Sequence, residues 1–181
     1  MAISRSTDAL NADLLGSSFV QVLHAAGPHP DRAAGLELYA FLVGRWRFHI
    51  TTILDDETTH HGEGEIHAGW VLEGRAIQDV WMIPRPLAGA GSWYGTTLRI
   101  YDPVLDAWRI QWSDPATGFF SQQIGRAQGS NIVQTGPDPR GGSMRWTFSE
   151  IGAETFHWTA ERSPDDVTWR REVDIRASRA T

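Results

Sequence analysis

Four residues at alternate positions, His61, Glu63, Glu65 and His67, share one face of a strand-like run, with His60 and His49 close by. Same-face neighbours on a strand sit roughly 7 Å apart, a spacing that lets imidazole and carboxylate ligands converge on one metal ion. A plainer arrangement competes with this one. If Trp46, Phe48 and Ile50 face a core, then Arg45, Arg47 and His49 lie outside. There they pair across the ladder with the same carboxylates. That register makes the four side chains a solvated face, so no metal is expected. No cofactor is expected either, because the chain has no Gly-rich phosphate loop, no G-x-S-x-G elbow and no metalloprotease helix motif.

A second group of residues is more informative. If even-numbered side chains from Trp46 to Ala160 share one interior, and odd ones do so in the last strand, several polar groups point inward. A buried polar group needs a partner or a ligand. His60 or Tyr94 would move a proton there, and Arg171 would stabilise developing negative charge. Alternatively, Trp112, Phe120, Trp158 and Trp169 supply contact area, while Gln78, Thr96, Gln122 and Gln134 orient a bound molecule. Trp81 and Phe119 fall on the outward face in this reading and are candidates for a homodimer contact.

These faces belong to an ordered set of elements. Ser18 and Gln21 form a capping box for a first short helix, which Gly27-Pro28 stops. Asp31 caps a second helix, which ends at Gly44. From Arg45 onward the chain reads as strand, near 45–54, 58–68, 70–83, 93–101, 107–113, 119–127, 130–135, 143–149, 154–162 and 167–177. Turn residues such as Asp55-Asp56, Asp102-Pro103 and Gly141-Gly142 punctuate the series. Strands with no helix between them make an antiparallel meander, and closure into a barrel removes its edges. The long Pro- and Gly-rich connections at 84–92, 114–118 and 136–142 fall at one end, which is expected to be the mouth. Trp46 and the preceding helix close the other end.

Bulk properties narrow the function classes. A chain of 181 residues is one domain by length, with residues 1–16 as an N-terminal arm and 17–181 as the domain. Nine Trp and seven Phe suit a barrel interior or an apolar ligand site. A net charge of −6 without a basic run argues against nucleic acid and anionic membrane partners. The absence of Cys excludes disulfides and thiolate chemistry. No segment reads as a signal peptide or a bilayer span, so a cytoplasmic location is expected.

The Gly44-x-Trp46 spacing at the start of the first strand resembles the lipocalin and fatty-acid-binding-protein group. The wider pattern of Phe41–Trp46, Gly69–Trp81 and Thr96–Asp102 looks like bacterial calycin-like barrels over roughly residues 36–177. The resemblance implies an antiparallel up-and-down calycin-like barrel of about ten strands, mainly β, with two short N-terminal helices. It also implies an Arg of the last strand, here Arg170 or Arg171, packed over Trp46. It carries no catalytic signature. Gly62-Glu63-Gly64-Glu65 and His157 resemble nitrobindin-like haem barrels, but His157 lies between Phe156 and Trp158 and faces outward in this reading. The expected function is binding of a small, largely apolar molecule, aromatic or isoprenoid-like, in the open end. The alternative is a cofactor-free isomerase, cyclase or hydro-lyase in the same pocket.

Overall fold

The structure, a computed structural model, describes residues 18–83 and 93–180. The expected arm at 1–16 and the 84–92 loop lie outside the described residues. Eleven strands form one sheet: β1 (His24–Ala25), β2 (Gly44–Ile53), β3 (Thr59–Val71), β4 (Ala76–Met82), β5 (Tyr94–Asp102), β6 (Ala107–Asp114), β7 (Phe119–Gln128), β8 (Asn131–Pro137), β9 (Ser143–Ser149), β10 (Thr155–Ser163) and β11 (Arg170–Arg179). From β2 to β11 each strand pairs antiparallel with the next, and β11 pairs with β2. The result is a closed up-and-down barrel of ten strands. The two-residue β1 is an addition that the sequence pattern does not announce, and it pairs with the end of β3.

The first hairpin follows the expected register. Trp46 lies opposite Ile66, Phe48 opposite Gly64 and Ile50 opposite Gly62. The Phe48 ring occupies the space where a Cβ on Gly64 would stand, so a bulky residue faces a glycine across the ladder. Outside, Arg47 faces Glu65 and His49 faces Glu63. His67 bonds Glu65 at 3.1 Å and His49 approaches Glu63 at 3.4 Å, all on the outer face.

Parity then departs from the expected constant pattern, and turn length explains why. An odd number of residues between paired ends keeps the inward parity, whereas an even number reverses it. Four residues separate Val71 from Ala76, four separate Asp102 from Ala107, four separate Asp114 from Phe119 and two separate Gln128 from Asn131. Odd positions therefore face inward in β4, β5 and β7, and even ones in β6, β8, β9 and β10. The first reversal is the Leu72–Arg75 turn, where Leu72, Glu73 and Gly74 all have positive φ (53°, 59° and 77°). Gly adopts that region freely, but nothing in a Leu-Glu pair advertises it.

The helical lead-in plugs one end. Ser18 and Gln21 form the expected capping box around the helix Phe19–Leu23, whose Phe19, Val20 and Val22 side chains are nonetheless exposed. The second helix is broken into a 3-10 turn at Pro30–Arg32, an α-turn at Ala33–Leu36 and a 3-10 stretch at Glu37–Leu42. Leu36, Tyr39 and Leu42 are fully buried inside the barrel end. Tyr39 packs edge-on against Trp108 at 4.9 Å, and Phe41 against Phe148 and Phe156 at 5.6 and 5.7 Å. The Trp46 indole N–H donates to the Leu42 carbonyl at 2.9 Å. The guanidinium over Trp46 is that of Arg179, 3.9 Å from the ring, and not Arg170 or Arg171 as expected. Arg179 also donates to the Val43 and Phe41 carbonyls at 2.8 and 3.1 Å. No helix among the described residues is long and apolar enough to cross a membrane. Trp46→Ala should cost about 3–5 kcal/mol, read as a drop in the urea midpoint; a loss below about 1 kcal/mol would show that the plug end holds without it.

Candidate functional site

With one end filled, the hollow lies toward the other. A cavity of about 670 Å³ opens among the inner faces of β4–β7 and β9–β11. Its walls carry five indoles in a continuous arc, Trp93, Trp112, Trp146, Trp158 and Trp81, with successive ring centroids 6.5, 6.4, 5.5 and 5.4 Å apart. Gly95 permits this arc, because a Cβ there would collide with the Trp112 ring. Phe119 and Phe120 complete the aromatic lining near the loop that follows β6.

The floor is charged. Asp79 of β4 and Arg99 of β5 are each 1% exposed and form an ion pair inside the barrel. The second Asp79 oxygen accepts the Thr97 backbone N–H at 3.2 Å. The Arg99 guanidinium also lies 5.3 Å from the Tyr39 ring centroid, which ties the cavity floor to the plug. Burial pushes the Tyr39 phenol well above its ordinary pKa, although Arg99 pulls the other way. Behind the wall, the amides of Gln123 and Gln134 and the hydroxyls of Ser121 and Tyr39 have no hydrogen-bond partner among the described residues.

The rim carries carboxylates, two of them held by arginines, with Arg145 donating to Glu161 at 2.8 Å. Asp114, Glu161 and Glu172 reach the cavity. Arg140 donates to Asp138 at 2.7 Å and to Glu172 at 2.8 Å, joining the loop after β8 to β11. Burial alone would raise the Asp138 carboxyl, but the hydrogen bonds from Arg140 outweigh it and hold the group below the usual carboxylate range.

The residues expected to form the site are only partly brought together. Trp112, Trp158 and Phe120 line the cavity. Phe120 does so from the exposed edge of β7, since its inner-face neighbours are Phe119 and Ser121. Gln134 faces inward and is fully buried, but it lies behind the cavity wall. The reversed parity of β4, β5 and β7 turns Gln78, Tyr94, Thr96 and Gln122 outward, correcting their expected orientation. Tyr94 is 62% exposed, and Gln78 donates to Thr96 at 3.1 Å on the outer surface. A bulge between Ala160 and Glu161 swings Arg171 to the surface, where it pairs with Asp174 at 3.2 Å. Trp169 stacks on Arg145 at 4.1 Å, away from the cavity. His60 is half-buried opposite Thr52 and does not reach the cavity wall.

His60, Tyr94 and Arg171 thus do not meet. Trp81 and Phe119, expected outside as a dimer contact, point inward and line the cavity, and Asp79 on the same face of β4 as Trp81 also points inward. His157 faces outward as expected, with its ring nitrogens near Asp174 at 2.9 Å and Ser149 at 3.4 Å.

The residues that sequence reasoning missed are Asp79, Arg99, Trp81 and Trp93. The available signal was charge: an Asp and an Arg on the odd faces of adjacent strands, close enough to pair once Gly95 sits opposite Trp81.

No family model matches the chain, and no curated protein matches it in sequence. Solved structures do match in shape. Rv2717c from M. tuberculosis superposes with a TM-score of 0.61 at 11% identity, covering 85% of this chain and 99% of that one. The S-type phycobiliprotein lyase CPES from Guillardia theta gives 0.58 at 9% identity, with the same two coverages. The fold is a calycin-like barrel. At these identities the likeness extends to the barrel alone.

Two predictions concern the buried charges. Asp79→Asn leaves Arg99 without its counter-ion and should cost about 3–5 kcal/mol. The double variant Asp79→Leu/Arg99→Met should cost much less, and a denaturation cycle that finds the two changes additive would refute the coupling. Because the folded Asp138 carboxyl is depressed, its contribution to stability is present above the ordinary value of about 4 and is lost as pH falls below it. Asp138→Asn should therefore flatten the acid limb of stability measured from pH 5 downward; an unchanged limb would remove Asp138 from the account.

Proposed function

We propose that this chain is a cytoplasmic binding protein for a small, largely apolar aromatic molecule held in the open end of the barrel. The observation that carries this reading is the arc of five indoles around a cavity of about 670 Å³. Volumes of about 300–1,000 Å³ with mostly apolar walls and a few polar groups suit small-molecule ligands. Indole rings set at 53–81° to their neighbours offer both faces and edges, which favours a flat aromatic guest over a flexible isoprenoid chain. The alternative of a cofactor-free isomerase, cyclase or hydro-lyase draws no support from His60, Tyr94 and Arg171, which stand apart. One structural neighbour carries the name of a lyase, so the fold accommodates enzymes as well as binders.

Neutral naphthalene-ring compounds should quench the intrinsic tryptophan emission in a saturable way. Trp112→Leu should weaken that binding by about five- to tenfold, whereas Trp169→Phe, on the outer surface, should leave it unchanged. Emission unmoved by the whole panel, together with native mass spectrometry that finds no co-purifying small molecule, would overturn the reading.

A further inference from the structure

Buried charges in folded chains are normally paired, and in this half of the barrel almost all of them are. Asp79 holds Arg99. Asp138 and Glu172 share Arg140, with Arg162 3.9 and 3.8 Å away, and Arg170 stands 3.3 Å from Glu172. Glu161 takes Arg145 at 2.8 Å and lies 4.0 Å from Arg171, which itself pairs with Asp174. Asp114, only 6% exposed and lining the cavity, is the carboxylate left over. One of its oxygens accepts the Ala116 N–H at 2.9 Å, which fastens the turn after β6. Among the described residues the other oxygen has no donor and the group has no cation.

Its surroundings suit a cation that arrives with a ligand. Asp114 stands two positions beyond Trp112 on the inner face of β6 and opposite Phe119 of β7, and all three line the cavity. Same-face neighbours on a strand are roughly 7 Å apart. A positive group held against the carboxylate therefore comes within about 6 Å of the Trp112 ring, where the ring adds its own attraction. Trp93 continues the aromatic wall 6.5 Å from Trp112. Arg140 is on this side too, 6.0 Å from the Phe119 ring centroid, but its donors are committed to Asp138 and Glu172. In a site screened from water, an unpaired carboxylate attracts an ammonium group strongly and repels an anion. We infer that the Asp114–Trp112 corner is a subsite for the ammonium group of a protonated aromatic amine whose rings lie along the indole arc. This rests on the aromatic-binding reading and specifies which aromatic compounds the cavity selects.

The test uses three matched probes on the full chain at neutral pH: 2-(aminomethyl)naphthalene, 2-ethylnaphthalene and 2-naphthoate, titrated by calorimetry. The amine should bind at least about fivefold tighter than the hydrocarbon, and the carboxylate weakest of the three. Asp114→Asn keeps the oxygen that accepts the Ala116 N–H and removes the charge, so it should abolish the amine's advantage over the hydrocarbon. Glu63→Gln makes the same change of charge on the outer face of β3 and should leave that advantage intact. Equal affinities for amine and hydrocarbon in the unaltered chain would overturn the subsite while leaving the aromatic cavity standing, a comparison that needs no variant to fold. An advantage that survives Asp114→Asn, or that Glu63→Gln removes equally, would also overturn it, the first by moving the cation elsewhere and the second by reducing it to the pull of an acidic chain. Tightest binding of naphthoate would overturn the sign of the subsite. Binding of none of the three would remove the aromatic reading and the subsite together.

Discussion

The structure depends on a seam between its first long strand and its last. β2 and β11 pair from Trp46–Arg179 to Thr52–Val173, and at the plugged end this seam is locked by one stack. The Trp46 indole lies between the Arg179 guanidinium and the aromatic packing of Phe156, 4.8 Å away. Its N–H and the Arg179 donors together satisfy the carbonyls of Leu42, Val43 and Phe41 where the 3-10 stretch ends. One cluster therefore closes the sheet and fastens the plug. With the plug fastened, the opposite half of the barrel remains as the hollow.

That hollow combines two environments that rarely share a wall. Five indoles line much of it, while Arg99, neutralised by the buried Asp79, also reaches it. The ion pair is weak evidence of stability in itself, because desolvation offsets most of the attraction. Its position is more telling. It sets a neutralised cation beside an aromatic wall, so that apolar contact area and one polar anchor stand in the same hollow.

Much of the barrel was legible in the sequence because period-two alternation is a local property. The Trp46–Phe48–Ile50 face, its glycine partners on β3, the outer charge pairs and the capping box at Ser18 all follow from residues within one hairpin or one turn. The interior chemistry was not legible, because it depends on how many residues each turn contains. Reading Gly69 as the β3–β4 boundary hid the Leu72–Arg75 turn, and that single reversal exchanged Gln78 and Thr96 for Asp79 and Thr97 on the inner wall. Two reversals cancel by β6 and four by β8, so Trp112 and Gln134 face inward as expected despite the intervening error. Arg179 was missed for another reason: the last strand was expected to end at 177, two residues short of the arginine that lies opposite Trp46.

Because the closing ladder joins segments far apart along the polypeptide, the cylinder cannot complete itself before β11 has been made. Until Arg179 leaves the ribosome, β2 and β10 each present a bare edge, and the tryptophan interior stands open to other unfinished chains. Hairpins from β2 to β10 can form one by one, but the final strand converts a sticky curved sheet into an edgeless vessel. The arginine that rests on Trp46 is thus the last latch to engage in assembly.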